Sequence, residues 1–352
     1  MNALEKFKRV VRWHCWANSK AALFFTCLFY LVLKQSLYST QSILDVLIFL
    51  GFILLTTVYG YLMNDLCDIK IDLKHGKQNV FEKAGKRRGT IIVGAIGLIS
   101  FCCGTYFKDR EYFLVFLGLL FFFATFYSAP PFRFKTRGLA GLIIAFMTQN
   151  LLPLIMIFVV FESFGTFDMW ILAFFATVSG AALELGHQRY DLQSDRSTGT
   201  RTYAVEKGEK KIDSQYKVFI ILDMLSMLGI IITFTIALWS KKILMIPHVI
   251  CIPLVIYFCL SGMVVLSTFK RKKSFDPYFE YGRKDIVNLT FTLFPSFFLP
   301  FFLACMLTFL YLPGIVLLIT FLVFTYITFP EAAPSAKVKI IINEVKNLLK
   351  SN

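Results

Sequence analysis

Apolar residues in this chain come in long unbroken runs rather than in alternation with polar ones. The runs cover roughly 20–34, 43–63, 90–107, 111–128, 139–161, 167–187, 216–239, 243–268, 287–310 and 312–329. Most are about 17–25 residues long, the number a helix needs to cross a hydrocarbon core about 30 Å thick. They lack the in–out alternation of strands in a membrane barrel. The pattern predicts an all-α fold, a polytopic membrane helical bundle of about nine to ten transmembrane helices. The count is open by one because the first run is short and little more than Leu312-Pro313 parts the last two. Pro295 and Pro300 predict a kink in the run 287–310. The end of the chain changes character: "AKVKIIINEVKNLLK" spaces Val338, Ile341, Ile342, Val345, Leu348 and Leu349 at helical period between lysines. That predicts an amphipathic basic helix on the inner leaflet. The chain thus divides into a transmembrane bundle, 1–335, and a basic cytoplasmic tail, 336–352.

Charge fixes the threading. With Lys6, Lys8, Arg9 and Arg12 on the cytoplasmic side, the loops 64–89, 129–138, 188–215 and 269–286 fall on that side too. Of the 37 basic residues, only Lys34, Lys108, Arg110, Lys241 and Lys242 fall opposite. This is the positive-inside asymmetry. The net charge of +15 follows from topology and contact with anionic headgroups, and it asks for no nucleic-acid partner. The eight cysteines form no CxxC pair and mostly sit in apolar runs, which implies neither metal nor disulfide. No secretory cleavage site or organelle-targeting signal is evident. The expectation is a multi-pass protein of the bacterial inner membrane with its active site at the cytoplasmic face.

Polar residues then identify the chemistry. "MNDLCDIKID" (63–72) follows an apolar run directly. Asn64, Asp68 and Asp72 at i, i+4, i+8 project along one helix face. Carboxylates so aligned repel unless a cation neutralises them. After the sixth run, "GHQRYDLQSDRSTGTRT" (186–202) repeats the device with Asp191 and Asp195, with Glu184 and His187 two turns and one turn earlier. Oxygen ligands without cysteine suit a hard cation such as Mg2+ or Mn2+, completed by substrate phosphates. Basic residues flank both clusters: Lys70, Lys74 and Lys77, then Arg189, Arg196 and Arg201. The loop "YSAPPFRFKTRG" (127–138) adds Tyr127, Arg133, Lys135 and Arg137. Carboxylates for metal and Arg/Lys for phosphate oxygens make a diphosphate clamp. A diphosphate at headgroup depth with an apolar tail describes an isoprenoid diphosphate donor, whose ionisation gives an allylic cation that aromatic faces can stabilise.

Three motifs carry a resemblance. Asn64-Asp65-Leu66-Cys67-Asp68-Ile69-Lys70-Ile71-Asp72 reads NDxxDxxxD, Tyr127–Lys135 reads YSxPPxRxK, and Asp191–Asp195 reads DxxxD. In this order and topology they resemble the UbiA-type intramembrane prenyltransferases. The resemblance implies that Asp65, Asp68, Asp72, Asp191 and Asp195 are catalytic. It implies that Asn64, Asp68, Asp191 and Asp195 hold two Mg2+ ions, and that Lys77, Tyr127, Arg133, Lys135 and Arg201 contact diphosphate. Asp65 and Asp72 would orient the first motif or its basic neighbours. The segment "KHGKQNVF" (74–81) departs from the His-Pro-x-Lys-Arg or Asn-Arg-Pro element that many members carry there. The implied reaction is Mg-dependent transfer of a prenyl group to a small-molecule acceptor, an aromatic one by family frequency, within the lipid bilayer. Gln149, Asn150, Glu184 and His187 are the candidate acceptor-binding residues. A membrane terpene cyclase shares the ionisation step. A transporter of divalent cations or phosphorylated lipids would place such clusters nearer the midplane. Asp213 and Asp276 read as solvated surface charges.

Overall fold

A computed structural model describes residues 3–17, 21–76, 78–240, 247–271 and 286–328. The tail 336–352 and Lys77 lie outside these. Among the described residues there are helices and no strand, with one parallel bridge between Gly138 and Thr202. The helices are α1 (Ala3–Val10), α2 (Trp13–Trp16), α3 (Ala22–Gln35), α4 (Thr40–Lys74), α5 (Gly85–Gly104), α6 (Phe113–Phe126), α7 (Leu139–Phe146), α8 (Leu152–Val160), α9 (Phe167–Tyr190) and α10 (Leu192–Thr198). They continue with α11 (Tyr203–Lys207), α12 (Glu209–Ser240), α13 (Ile252–Arg271), α14 (Ile286–Asn288), α15 (Leu299–Leu310) and α16 (Ile315–Thr328). Among the described residues, seven apolar helical stretches are long enough to cross a membrane, and three apolar helices are shorter. The chain is therefore a multi-pass α-helical membrane protein.

The chain forms two compact units. One combines Met1–Trp16 with Asp45–Ile220; the other combines Ala17–Leu44 with Ile221–Asn352. In the first, α4 does not stop where its apolar run ends at residue 63 but continues to Lys74. Its 35 residues extend about 50 Å at 1.5 Å per residue, well beyond the ~30 Å hydrocarbon core. The first motif therefore stands on an unbroken helix that projects past the core. The helix stops at Gly76, whose φ of 65° is the left-handed conformation glycine adopts without strain. Along α5, Gly89, Val93, Gly97, Ser100 and Gly104 form a buried line. A Cβ at Gly97 would sit 2.8 Å from the Tyr59 ring, so glycine permits the close approach to α4. Hydroxyls lock α4 to its neighbours: Thr56 and Ser100 of α5 have oxygens 2.6 Å apart, as do Tyr59 and Thr125 of α6. Such pairs join helices where lipid offers no hydrogen-bond partner.

The run 139–161 contains a π turn, Met147–Leu151, between α7 and α8. Pro153 lacks the N–H that would bond to the Gln149 carbonyl in a regular α-helix, and widening the turn accommodates that loss. In the second unit, Tyr30 stacks on Phe234 with centroids 3.8 Å apart, and Phe25 meets Phe321 and Phe324. The expected irregularity near residue 295 is a π stretch, Leu289–Phe298, with Pro295 inside it, while Pro300 opens α15.

Candidate active site

The site is built on the projecting end of α4. The Asn64 side-chain oxygen accepts from the Ser128 hydroxyl and the Lys135 ammonium, each at 2.8 Å. Asp68 takes the Arg133 guanidinium at 2.8 Å on one oxygen and Lys135 on the other. The Asp68 and Lys135 side chains are 14% and 13% exposed, so both charges have left bulk water together. Burial pushes the Lys135 ammonium below its ordinary range, while Asp68 pulls it back up. The spacing prediction thus holds for Asn64 and Asp68: they lie on one helical line and meet the same lysine.

The loop that delivers these cations is fixed from both sides. Its aromatic residues pack together, with Phe132 stacked on Phe134 and edge-on to Phe126. The Lys135 amide donates to the Tyr127 carbonyl at 3.0 Å. Arg133 adopts a left-handed backbone, φ 42°, which aims its side chain back at α4 from a tight turn. Gly141 makes the return into α7 possible, because a Cβ there would lie 2.6 Å from the Phe134 carbonyl oxygen. The Gly138 amide donates to the Arg201 carbonyl at 3.3 Å, tying this loop to the segment that follows the second motif.

That second motif sits at a break. Helix α9 ends at Tyr190, Asp191 caps it, and α10 begins at Leu192. The Asp195 amide still bonds to the Asp191 carbonyl at 2.8 Å, so the i, i+4 relation survives the bend. Asp191 is exposed and Asp195 half-buried. Tyr127 follows the last residue of α6 and precedes Ser128, whose hydroxyl bonds to Asn64. Gln188, buried one turn after Glu184, donates to Glu184 at 3.2 Å and accepts from the Ala204 amide at 3.2 Å. Asp213 is no free surface charge: it pairs with Arg189 at 3.2 Å and Lys217 at 2.6 Å.

Other expected residues go elsewhere. Asp72 accepts from the Asn79 amide at 2.7 Å, and the same nitrogen donates to the Asp65 carbonyl at 2.8 Å. Asp65, fully buried, faces Arg12. Asn150 is buried against Gly180 of α9, a helix-packing position. Gln149 lies beside it in the π turn, half-buried, and His187 is exposed. Arg201 contributes its backbone to the Gly138 contact, and its side chain is exposed. Lys77 lies outside the described residues. Arg12, Asn79 and Ser128 were missed by sequence reasoning. Ser128 stood inside a quoted motif, whereas Arg12 and Asn79 had no periodic signal to mark them. Among the described residues no three His, Cys, Asp or Glu side chains already form a metal shell; at the first motif, lysine and arginine hold the carboxylate instead.

The model of the UbiA prenyltransferase family matches residues 22–281. This chain belongs to the UbiA prenyltransferase family. It is 29% identical over 175 residues to a lycopene elongase/hydratase of Haloferax volcanii, a match covering 47% of this chain and 54% of that protein. The chain thus spans about half the length of the curated relative it matches. Its fold is similar to that of a UbiA homolog from Archaeoglobus fulgidus, solved bound to GPP and Mg2+, with TM-score 0.53, 15% identity, and coverage of 89% of this chain and 99% of that one. The apo UbiA homolog from Aeropyrum pernix K1 is similar at TM-score 0.50 and 15% identity, covering 84% and 96%. At these identities the likeness concerns the UbiA fold.

Proposed function

We propose that this UbiA-family protein transfers a prenyl group from an isoprenoid diphosphate to a small-molecule acceptor and releases pyrophosphate. The observation that carries the reading is the convergence of Lys135 and Arg133 on Asn64 and Asp68. A guanidinium and an ammonium held in partial burial make a strong anion site, and the adjoining oxygens suit a hard cation. Asn64, Asp68, Asp191 and Asp195 would hold two Mg2+ ions. The donor set fits: four oxygen-bearing side chains from two motifs, with no sulfur. When bound, Mg2+ would supply charge neutralisation of the departing diphosphate. Lys135, Arg133, Tyr127, Lys77 and Arg201 bind and orient that diphosphate, and Asp65 and Asp72 hold the motif helix in place. The family resemblance and the ligands of the Archaeoglobus relative support this assignment. The basic asymmetry of the loops supports a site at the cytoplasmic face.

The acceptor is aromatic in this reading, with Glu184, His187, Gln149 and Asn150 as the residues that would meet it. The Haloferax relative makes a polyene acceptor the alternative to test. Purified protein in nanodiscs is supplied with geranyl, farnesyl, geranylgeranyl or longer diphosphates, with Mg2+ or EDTA, and with aromatic, polyene or glycerol phosphate acceptors. Mg2+-dependent pyrophosphate release that requires one acceptor class is the expected result. Release without acceptor, yielding a cyclic hydrocarbon, would replace the transferase with a cyclase. No release from any donor by folded protein would favour transport.

A further inference from the structure

The first motif has a partner far away in sequence. Asp65 is fully buried, and its carboxylate is met by Arg12 in two places: Nη2 lies 2.6 Å from Oδ1, and Nε donates to Oδ2 at 3.1 Å. A planar guanidinium in this two-point arrangement fixes direction as well as charge. The turn that presents Arg12 is itself held under constraint. Arg12 has a φ of 50°, a conformation non-glycine residues rarely adopt. The Trp16 indole donates to the Val11 carbonyl at 2.9 Å, and Trp13 packs on Trp16 at 4.8 Å. Arg9 reaches Gln78, the chain neighbour of Asn79. Strained backbone that persists because its surroundings enforce it often marks a functional position.

We propose that Arg12 is a positioning residue for the reaction, acting through Asp65 on the register of Asn64 and Asp68. At about 100° per residue on a helix, Asp65 and Asp72 lie on one line of α4 and Asn64 and Asp68 on the next. The first line is anchored by Arg12 and Asn79, and the second faces Lys135 and Arg133. The helix end is therefore gripped on two adjacent lines, so it cannot rotate about its axis. Arg12 also places its positive charge on the Asp65 carboxylate, one helical turn from Asp68. Asp68 is then free to face the loop cations and the ligand. This role rests on the prenyl-transfer reading, and the test separates the two.

Wild type, Arg12→Gln, Arg12→Lys and the double variant Arg12→Leu/Asp65→Asn are compared in nanodiscs. The double variant removes both charges at once and leaves no buried lone carboxylate. Two quantities are measured: the Mg2+ concentration for half-maximal pyrophosphate release, and the rise in thermal midpoint on adding Mg2+ with a non-reactive thiolodiphosphate analogue. The expected result is a Mg2+ requirement about ten- to a hundredfold higher in Arg12→Gln and in the double variant, as for lost partners of metal ligands. The ligand-induced thermal shift shrinks with it, and Arg12→Lys recovers part of both. A folded double variant with wild-type Mg2+ requirement, turnover and thermal shift would overturn the role and leave the pair as packing. A wild type inert toward every donor overturns the prenyl-transfer reading and this role with it.

Discussion

The two acidic motifs of this protein carry similar residues at similar spacing, yet they are held in different ways. The first lies on an unbroken helix, and each of its four polar positions has a partner within hydrogen-bond distance: Arg12 at Asp65, Ser128 and Lys135 at Asn64, Arg133 and Lys135 at Asp68, Asn79 at Asp72. The second lies where two helices part, with Asp191 exposed. Its surroundings include the Asp191–Asp195 turn bond, the Gly138–Arg201 contact and the Gln188 side-chain bridge to Ala204. The first motif is preorganised by side-chain ion pairs in partial burial. The second is positioned by its chain path and keeps a carboxylate facing solvent. One part of the candidate site is thus held by side-chain ion pairs.

Replacing one carboxylate on each side is the strongest way to break the comparison. Asp68→Ala and Asp191→Ala should each lower turnover on the order of a thousandfold or more, about 4 kcal/mol of barrier, read as pyrophosphate release. Their stabilities should differ. Asp68→Ala leaves Lys135 and Arg133 without their carboxylate and lowers the thermal midpoint, whereas Asp191→Ala, at an exposed position, leaves it near wild type. Equal thermal losses would remove the distinction between the motifs.

A smaller effect should follow from moving the loop without touching its charges. Gly141→Ala puts a methyl group against the Phe134 carbonyl and displaces Lys135. A shift of about 1 Å in a positioning element can cost up to roughly a hundredfold, and the loss should appear in kcat/KM for the donor with the fold retained. An unchanged kcat/KM would show that the loop tolerates the shift. Lys135→Ala removes a charged hydrogen-bond donor worth about 1.5–3 kcal/mol, so the donor KM should rise roughly ten- to a hundredfold. No change in donor KM would take that lysine out of the anion site. The smallest effect belongs to Asp213→Asn. Its partners Arg189 and Lys217 are partly exposed, and such pairs contribute at most about 1 kcal/mol. Stability should fall by no more than that, and turnover should stay within about twofold. A large loss of activity would extend the site to this pair.

The sequence by itself determined the class of fold, the line of Asn64 and Asp68, and the loop that would carry Arg133 and Lys135. Each is a short-range property: run length, an i, i+4 spacing, a turn rich in proline and glycine. What went unread depends on contacts between distant segments. Arg12 and Asp65 are 53 residues apart, and no periodicity records such a pair. By spacing alone Asp72 belongs with Asn64 and Asp68. Its bond to Asn79 instead follows from the path of the chain after Gly76. The apolar run ends at residue 63 but α4 continues to Lys74, because helix formation needs no apolar side chains once the backbone bonds continue. Gln149 and Asn150 read as polar groups in a span, and only packing against Gly180 and the missing N–H of Pro153 gave that segment its shape. Local pattern specified which residues share a line on a helix. Tertiary structure alone decided which of those lines faces Lys135 and Arg133 and which faces Arg12 and Asn79, because that choice depends on the groups that other segments bring close enough to meet a carboxylate.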